Sequence, residues 1–131
     1  MEAVPPLMGE AEFNVLGEPL QPCSDNPLTG FFRSGYCAAG PDRAAVHLIC
    51  VALTDDFLAY SASVGNDLST PRPEYGFPGL KAGDRWCLVA GRWAQVHAAG
   101  MAPRLFLRAT NQAVLDLIPI ETLKAYALDL N

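Results

Sequence analysis

The chain has 131 residues, is 50% hydrophobic and carries a formal net charge of −5. That length suits one domain with an ordinary core, burying roughly two thirds of its unfolded surface without staples, and that composition excludes disorder. The acidic balance argues against nucleic acid or an anionic membrane as partner, since both are held by basic patches.

The first residues, MEAVPPLMGEAEF, are acidic and broken by two prolines, unlike the basic start and apolar run of a secretory signal. Residues 1–13 are read as a flexible leader and 14–131 as one globular domain. Asn14 to Arg43 is studded with Gly, Pro, Asn and Asp, the turn-formers, so an irregular but ordered N-terminal third is expected. Short pieces within it, Asn14–Leu16 and Gly30–Phe32, could serve as edge strands or bridges.

The run AVHLICVAL, Ala45 to Leu53, is almost continuously apolar and predicts a strand buried on both faces, with His47 its only strongly polar side chain. Thr54 is placed to cap a helix over Asp55–Val64, and Asp55 and Asp56 suit the positive end of its dipole. Gly65 stands where a left-handed residue ends such a helix. From Gly65 to Asp84 no helix or strand is predicted. So long a loop is uncommon and often functional. Pro71, Pro73 and Pro78 argue that it is ordered, with Tyr75, Phe77 and Leu80 as anchors.

Arg85–Gly91 predicts a second strand, Arg92–Gly100 a short helix and Arg104–Thr110 a third strand. Thr110 or Asn111 caps a helix over QAVLDLI, and after Pro119 a last helix, IETLKAYALDL, carries Leu123, Ala127 and Leu130 on one stripe. The order β-α-β-α-β-α predicts an α/β or α+β fold: a small mixed sheet with right-handed crossovers and an irregular N-terminal third. No stretch approaches eighteen apolar residues, so no membrane span is expected and the cytoplasm is the expected location.

Three sets of side chains could carry chemistry. In the long loop, Asn66, Asp67, Ser69 and Thr70 bunch polar groups that either bind a ligand or hold their own backbone in turns. The repeated Arg-Trp of GDRWCLVAGRW, Arg85-Trp86 and Arg92-Trp93, offers anion-pairing guanidiniums beside apolar walls, or two core tryptophans with surface arginines. DNPLTGFFRSGYC gathers Thr29, Arg33, Ser34, Tyr36 and Cys37 around two glycines, and a local turn scaffold is the plainer reading.

The four cysteines, Cys23, Cys37, Cys50 and Cys87, show no C-x-x-C pair, so no metal site is expected. In a reducing compartment they are read as buried, inert thiols, with a Cys23–Cys37 redox pair as a lesser alternative. A catalytic set would use Cys37 or Cys87 as nucleophile, His47 or His97 as base, and Asp55, Asp56 or Asp67 as orienter. No Walker loop and no G-x-G-x-x-G motif is present, and no cofactor is expected.

The phrases NVLGEPLQPCSDNPLTGFFRSGYC, VALTDDFLAYSASVGNDLSTPRPEYGFPGLKAGDRWCLVAGRW and APRLFLRATNQAVLDLI resemble the bacterial family catalogued as domain of unknown function 2237. The resemblance runs from Asn14 to about Leu128 and implies a small, soluble, single-domain α+β or α/β protein; it brings no activity with it. Members often have a Cys and a His at the positions that hold Val89 and Asn111 here.

The leading functional expectation is a binding module. Its long loop would pack over the sheet edge and form a pocket for a small polar or anionic metabolite. Asn66, Asp67, Ser69, Thr70, Arg85, Trp86, Arg92 and Trp93 would line that pocket. The alternatives are a cysteine-dependent enzyme using Cys37 or Cys87 with His47, and a domain that binds a protein partner. The oligomeric state is left open.

Overall fold

A computed structural model describes residues 12–42 and 44–130. The fold is mixed α/β. Strand β1 (His47–Ala52) is followed by helix α1 (Asp55–Ser63), strand β2 (Arg85–Val89), helix α2 (Ala90–Ala98) and the short helix α3 (Ile120–Lys124). Single 3-10 turns lie at Pro73–Tyr75, Leu107–Ala109 and Gln112–Asp116. Among the described residues no helix is long and apolar enough to cross a membrane.

β1 forms where the apolar run predicts it, with Leu48 to Val51 all buried. The Thr54 hydroxyl accepts from the Phe57 N–H at 3.1 Å and starts α1, and Gly65 ends it at φ +92°. The long excursion then returns to where it left. Leu53 N–H donates to Asp84 O, and Gly83 N–H to Leu53 O, both at 3.0 Å. β2 therefore starts beside the end of β1 and runs back along it. The two strands pair antiparallel, with Cys50 opposite Cys87 and Val51 opposite Trp86, and the register slips between His47 and Ile49. The expected parallel crossover is absent, because α1 and its loop lead out and back instead of passing over a sheet face.

The expected third strand is also reduced. Leu105 makes one antiparallel bridge to Val51 and one parallel bridge to Ala127. Past it the chain coils, because the Asp129 carboxylate accepts from the N–H groups of Leu107 at 2.7 Å and Arg108 at 3.0 Å. That docking, together with the bridge at Ala127, stops the last helix at Lys124, where the hydrophobic stripe predicts a helix to Leu130. The segment predicted as a helix from Gln112 is a 3-10 turn capped by Asn111.

The N-terminal third is irregular, as its turn-formers predict. Asn14 bridges Asn111, whereas Gly30–Phe32 pairs with no strand. Most of the expected leader lies outside the described residues, but Glu12 is docked. Its carboxylate accepts from Ala39 N–H at 2.7 Å, Gly40 N–H at 3.1 Å and the Asn111 amide at 2.6 Å. The core gathers Ile49, Leu88, Trp93, Leu105, Leu107 and Leu123 between the strand pair and the helices.

The largest departure concerns the cysteines. Cys23 is bonded to Cys50 and Cys37 to Cys87, and no described cysteine is free. The expected reduced thiols and the Cys23–Cys37 pair are replaced by two cross-links, each joining a loop of the N-terminal third to one strand. Sequence spacing could not show this, because strand pairing is what brings Cys50 and Cys87 together.

Candidate functional site

The turn from Gly30 to Gly40 packs against the start of β1. Arg33 sits in the left-handed region at φ 54°, unusual for a residue with a side chain. Both its backbone N–H, at 3.0 Å, and its Nη1, at 2.8 Å, donate to the carbonyl of Gly30, which holds that conformation. Gly40, at φ +85°, lets the edge of the Phe32 ring come up to the backbone, since a Cβ there would fall 2.5 Å from Phe32 Cζ. Phe31 stands edge-on to Phe32, centroids 5.0 Å apart, and 57% of its surface is exposed.

These aromatics and the segment Ala44–His47 enclose a cleft of about 280 Å³. Its walls are Phe31, Phe32, Ala45 and Val46, with Asp42 and His47 as the titratable groups. The imidazole of His47 lies 5.9 Å from the Phe31 ring. Its Nδ1 is buried with no hydrogen-bond partner among the described residues. Such an atom is uncommon in a folded chain and marks a site worth explaining. Burial, first, and the positive charge of Arg33 hold the His47 pKa below its ordinary value, so the ring is neutral near pH 7. A neutral imidazole can donate from one nitrogen and accept at the other. Asp42 is committed to the loop, its carboxylate accepting from Ala44 N–H at 3.1 Å.

A family profile matches residues 13–127, nearly the whole chain. The chain belongs to the family described as uncharacterized protein conserved in bacteria (DUF2237). No curated protein matches it. The DUF2237 match takes in the cleft, the long loop and all four cysteines.

The eight ligand-binding candidates of this DUF2237 chain do not meet at one place. In the long loop, the Asp67 carboxylate accepts from Ser69 N–H at 2.9 Å, Thr70 N–H at 3.2 Å and the Thr70 hydroxyl at 2.6 Å. The Thr70 hydroxyl and those two N–H groups hold the Asp67 carboxyl below its ordinary range. Asn66 closes α1, its carbonyl accepting from the Ser61 hydroxyl at 2.7 Å. The Asp67 carboxylate and the Thr70 hydroxyl thus spend their hydrogen bonds on their own turn. Of the eight, Ser69 borders an open cleft of about 340 Å³ beside Asn26, Lys81 and Asp84.

The Arg-Trp pairs separate as strand and helix geometry requires. Arg85 lies over the Phe106 ring at 4.0 Å and Arg92 bonds Gln95 at 3.1 Å. Trp86 is buried against Phe77, and its face receives the Arg33 guanidinium at 5.3 Å. Trp93 is wholly buried, donates to Pro103 O at 3.2 Å and stacks on His97 at 5.1 Å. Of the catalytic candidates, Cys37 and Cys87 are fully buried partners in one disulfide, so neither carries a thiolate in this state, while His47 faces the cleft.

Sequence reasoning singled out Arg33 and His47 separately and passed over Phe31, Phe32 and Val46. The signal for the aromatics was GFFR, two adjacent Phe beside a glycine, which cannot both enter one core from a tight turn.

Proposed function

We propose that this chain is a small-molecule-binding module and that its site is the cleft between the Phe31–Phe32 corner and the start of β1. The observation that carries this reading is a neutral histidine whose buried Nδ1 has no partner among the described residues, on the wall of a cleft that is apolar apart from it and the loop-bound Asp42. Small-molecule sites combine such walls with few polar groups, and this volume lies just under their usual lower range of about 300 Å³. The ligand would be small, with a flat or apolar body for Phe31 and Val46 and one hydrogen-bonding group for His47. A carboxylate or other anionic group would also be drawn by Arg33, close enough to His47 to depress its pKa. This keeps the expectation of a polar or anionic metabolite and moves the site from the long loop to the aromatic turn. Compartment and partners stay as proposals: a cytoplasmic protein with a metabolite for its ligand.

The reading is tested by thermal-shift screening of the full chain against aromatic and aliphatic carboxylates, followed by calorimetry on hits. Phe31→Ser and His47→Gln each weaken binding at least tenfold, while Ser69→Ala leaves it unchanged. A hit that survives both cleft substitutions and is lost with Ser69→Ala and Lys81→Ala would put the site in the other cleft and overturn the assignment.

A further inference from the structure

The four cysteines come from four separate segments and end in one place. Cys50 and Cys87 face each other across the strand pair. Neither uses its N–H for the other strand. Cys50 N–H donates to the Thr110 hydroxyl at 3.2 Å, and Cys87 N–H to the Thr29 hydroxyl at 2.8 Å. They are therefore a non-hydrogen-bonded antiparallel pair, the kind whose side chains stand closest on a shared face. Cys23 and Cys37 reach that face from the loops, and all four form one buried cluster with Ala109. The sulfurs of Cys23, Cys37 and Cys87 lie within 4.8 Å of one another, although they belong to two different disulfides.

Two cross-links that only stapled loops to strands would not need to touch. A zinc–sulfur bond of about 2.3 Å makes the edge of a tetrahedral tetrathiolate about 3.8 Å. Cys23 already lies within 4.8 Å of both sulfurs of the Cys37–Cys87 pair, whereas Cys50 falls outside that group, so the centre forms by opening each bonded pair and drawing Cys50 inward. Phe106 packs against the cluster, and the Arg85 guanidinium lies 4.0 Å from the centre of that ring.

We propose that the reduced protein holds a soft, tetrahedral divalent cation, Zn²⁺ by chemistry, on Cys23, Cys37, Cys50 and Cys87, and that the two disulfides are its oxidised, metal-free form. The balance is simple. Two equivalents of a dithiol reductant pass four electrons and four protons to the two disulfides, giving four thiols and two oxidised reductant molecules. One Zn²⁺ then displaces the four thiol protons and is held by four thiolates. The absence of a C-x-x-C pair does not speak against this, because that spacing reports only sites built from one turn. Here the strand register and two loops supply the geometry.

The test uses the full chain and Co²⁺, whose tetrahedral thiolate complexes absorb strongly in the visible. Phosphine-reduced protein takes up one Co²⁺ per chain with those bands, Zn²⁺ displaces it, and all four thiols then resist alkylation. Oxidised protein takes up none. Cys37→Ala with Cys87→Ala loses at least tenfold in affinity. If reduced protein unfolds and Co²⁺ restores its circular dichroism, the proposal gains the same support. Reduced protein that takes up no Co²⁺, whether folded or not, overturns it, and so does a double variant that binds as well as the parent. Should that variant not fold, the reduced and oxidised parent decide the matter alone.

Discussion

Removing the Cys37–Cys87 cross-link in oxidised protein tests how the N-terminal third is held. The bond closes a loop with a sequence separation of 50, and Cys23–Cys50 closes one of 27. In the chain-entropy account these loops restrict the unfolded state by about 4 and about 3.5 kcal/mol. A domain of this size has about 5–15 kcal/mol of stability, so either loss is a large share. Alanine is the proper replacement, since serine would bury a hydroxyl among sulfurs that bond it poorly. With a urea slope of about 2 kcal/mol per molar, Cys37→Ala with Cys87→Ala lowers the midpoint by about 2 M. The assay is urea unfolding followed by tryptophan fluorescence, with chelator present so that no metal replaces the cross-links. Reductant opens both cross-links, so it should carry the parent below the oxidised variant, which keeps Cys23–Cys50 and its share of about 3.5 kcal/mol. Coincident midpoints for parent and variant without reductant would refute the reasoning, because the cross-link would then restrict nothing.

Two further outcomes follow. Asn111 is buried, donates to Cys37 O at 3.0 Å and to Glu12, and accepts from Ala113 N–H at 2.9 Å; Asn111→Ala strands those groups and costs about 2–3 kcal/mol, read as a lowered urea midpoint. Burial and Arg33 depress the folded pKa of His47. As pH falls through about 6.5 the unfolded chain takes the proton first, so stability declines until the lower folded value is passed. His47→Gln removes that part of the slope between pH 8 and 5, and an unchanged slope would show that His47 is not the group responsible.

Local features were legible wherever nearest neighbours decide them. The strand within the apolar run Ala45 to Leu53, the Thr54 cap and the stop at Gly65 each depend on a few adjacent residues, and all three stand, the strand trimmed to His47–Ala52. The long loop is ordered by the Asx and hydroxyl bonds that Asp67, Ser69 and Thr70 suggest. Strand direction, the shortened third strand and the end of α3 were not legible. They rest on Asp84 meeting Leu53, Asp129 meeting Leu107 and Leu105 meeting Ala127, contacts between residues 22 or more apart.

By itself the chain determined a mixed α/β fold and a turn-rich N-terminal third, because composition, hydrophobic period and turn chemistry are local quantities, and its long matching phrases marked the bacterial family. Only tertiary structure decided that four scattered cysteines share one face and that His47 meets Phe31 across a cleft. Side-chain convergence follows from strand register and loop docking, and those are set by how the whole chain closes on its core.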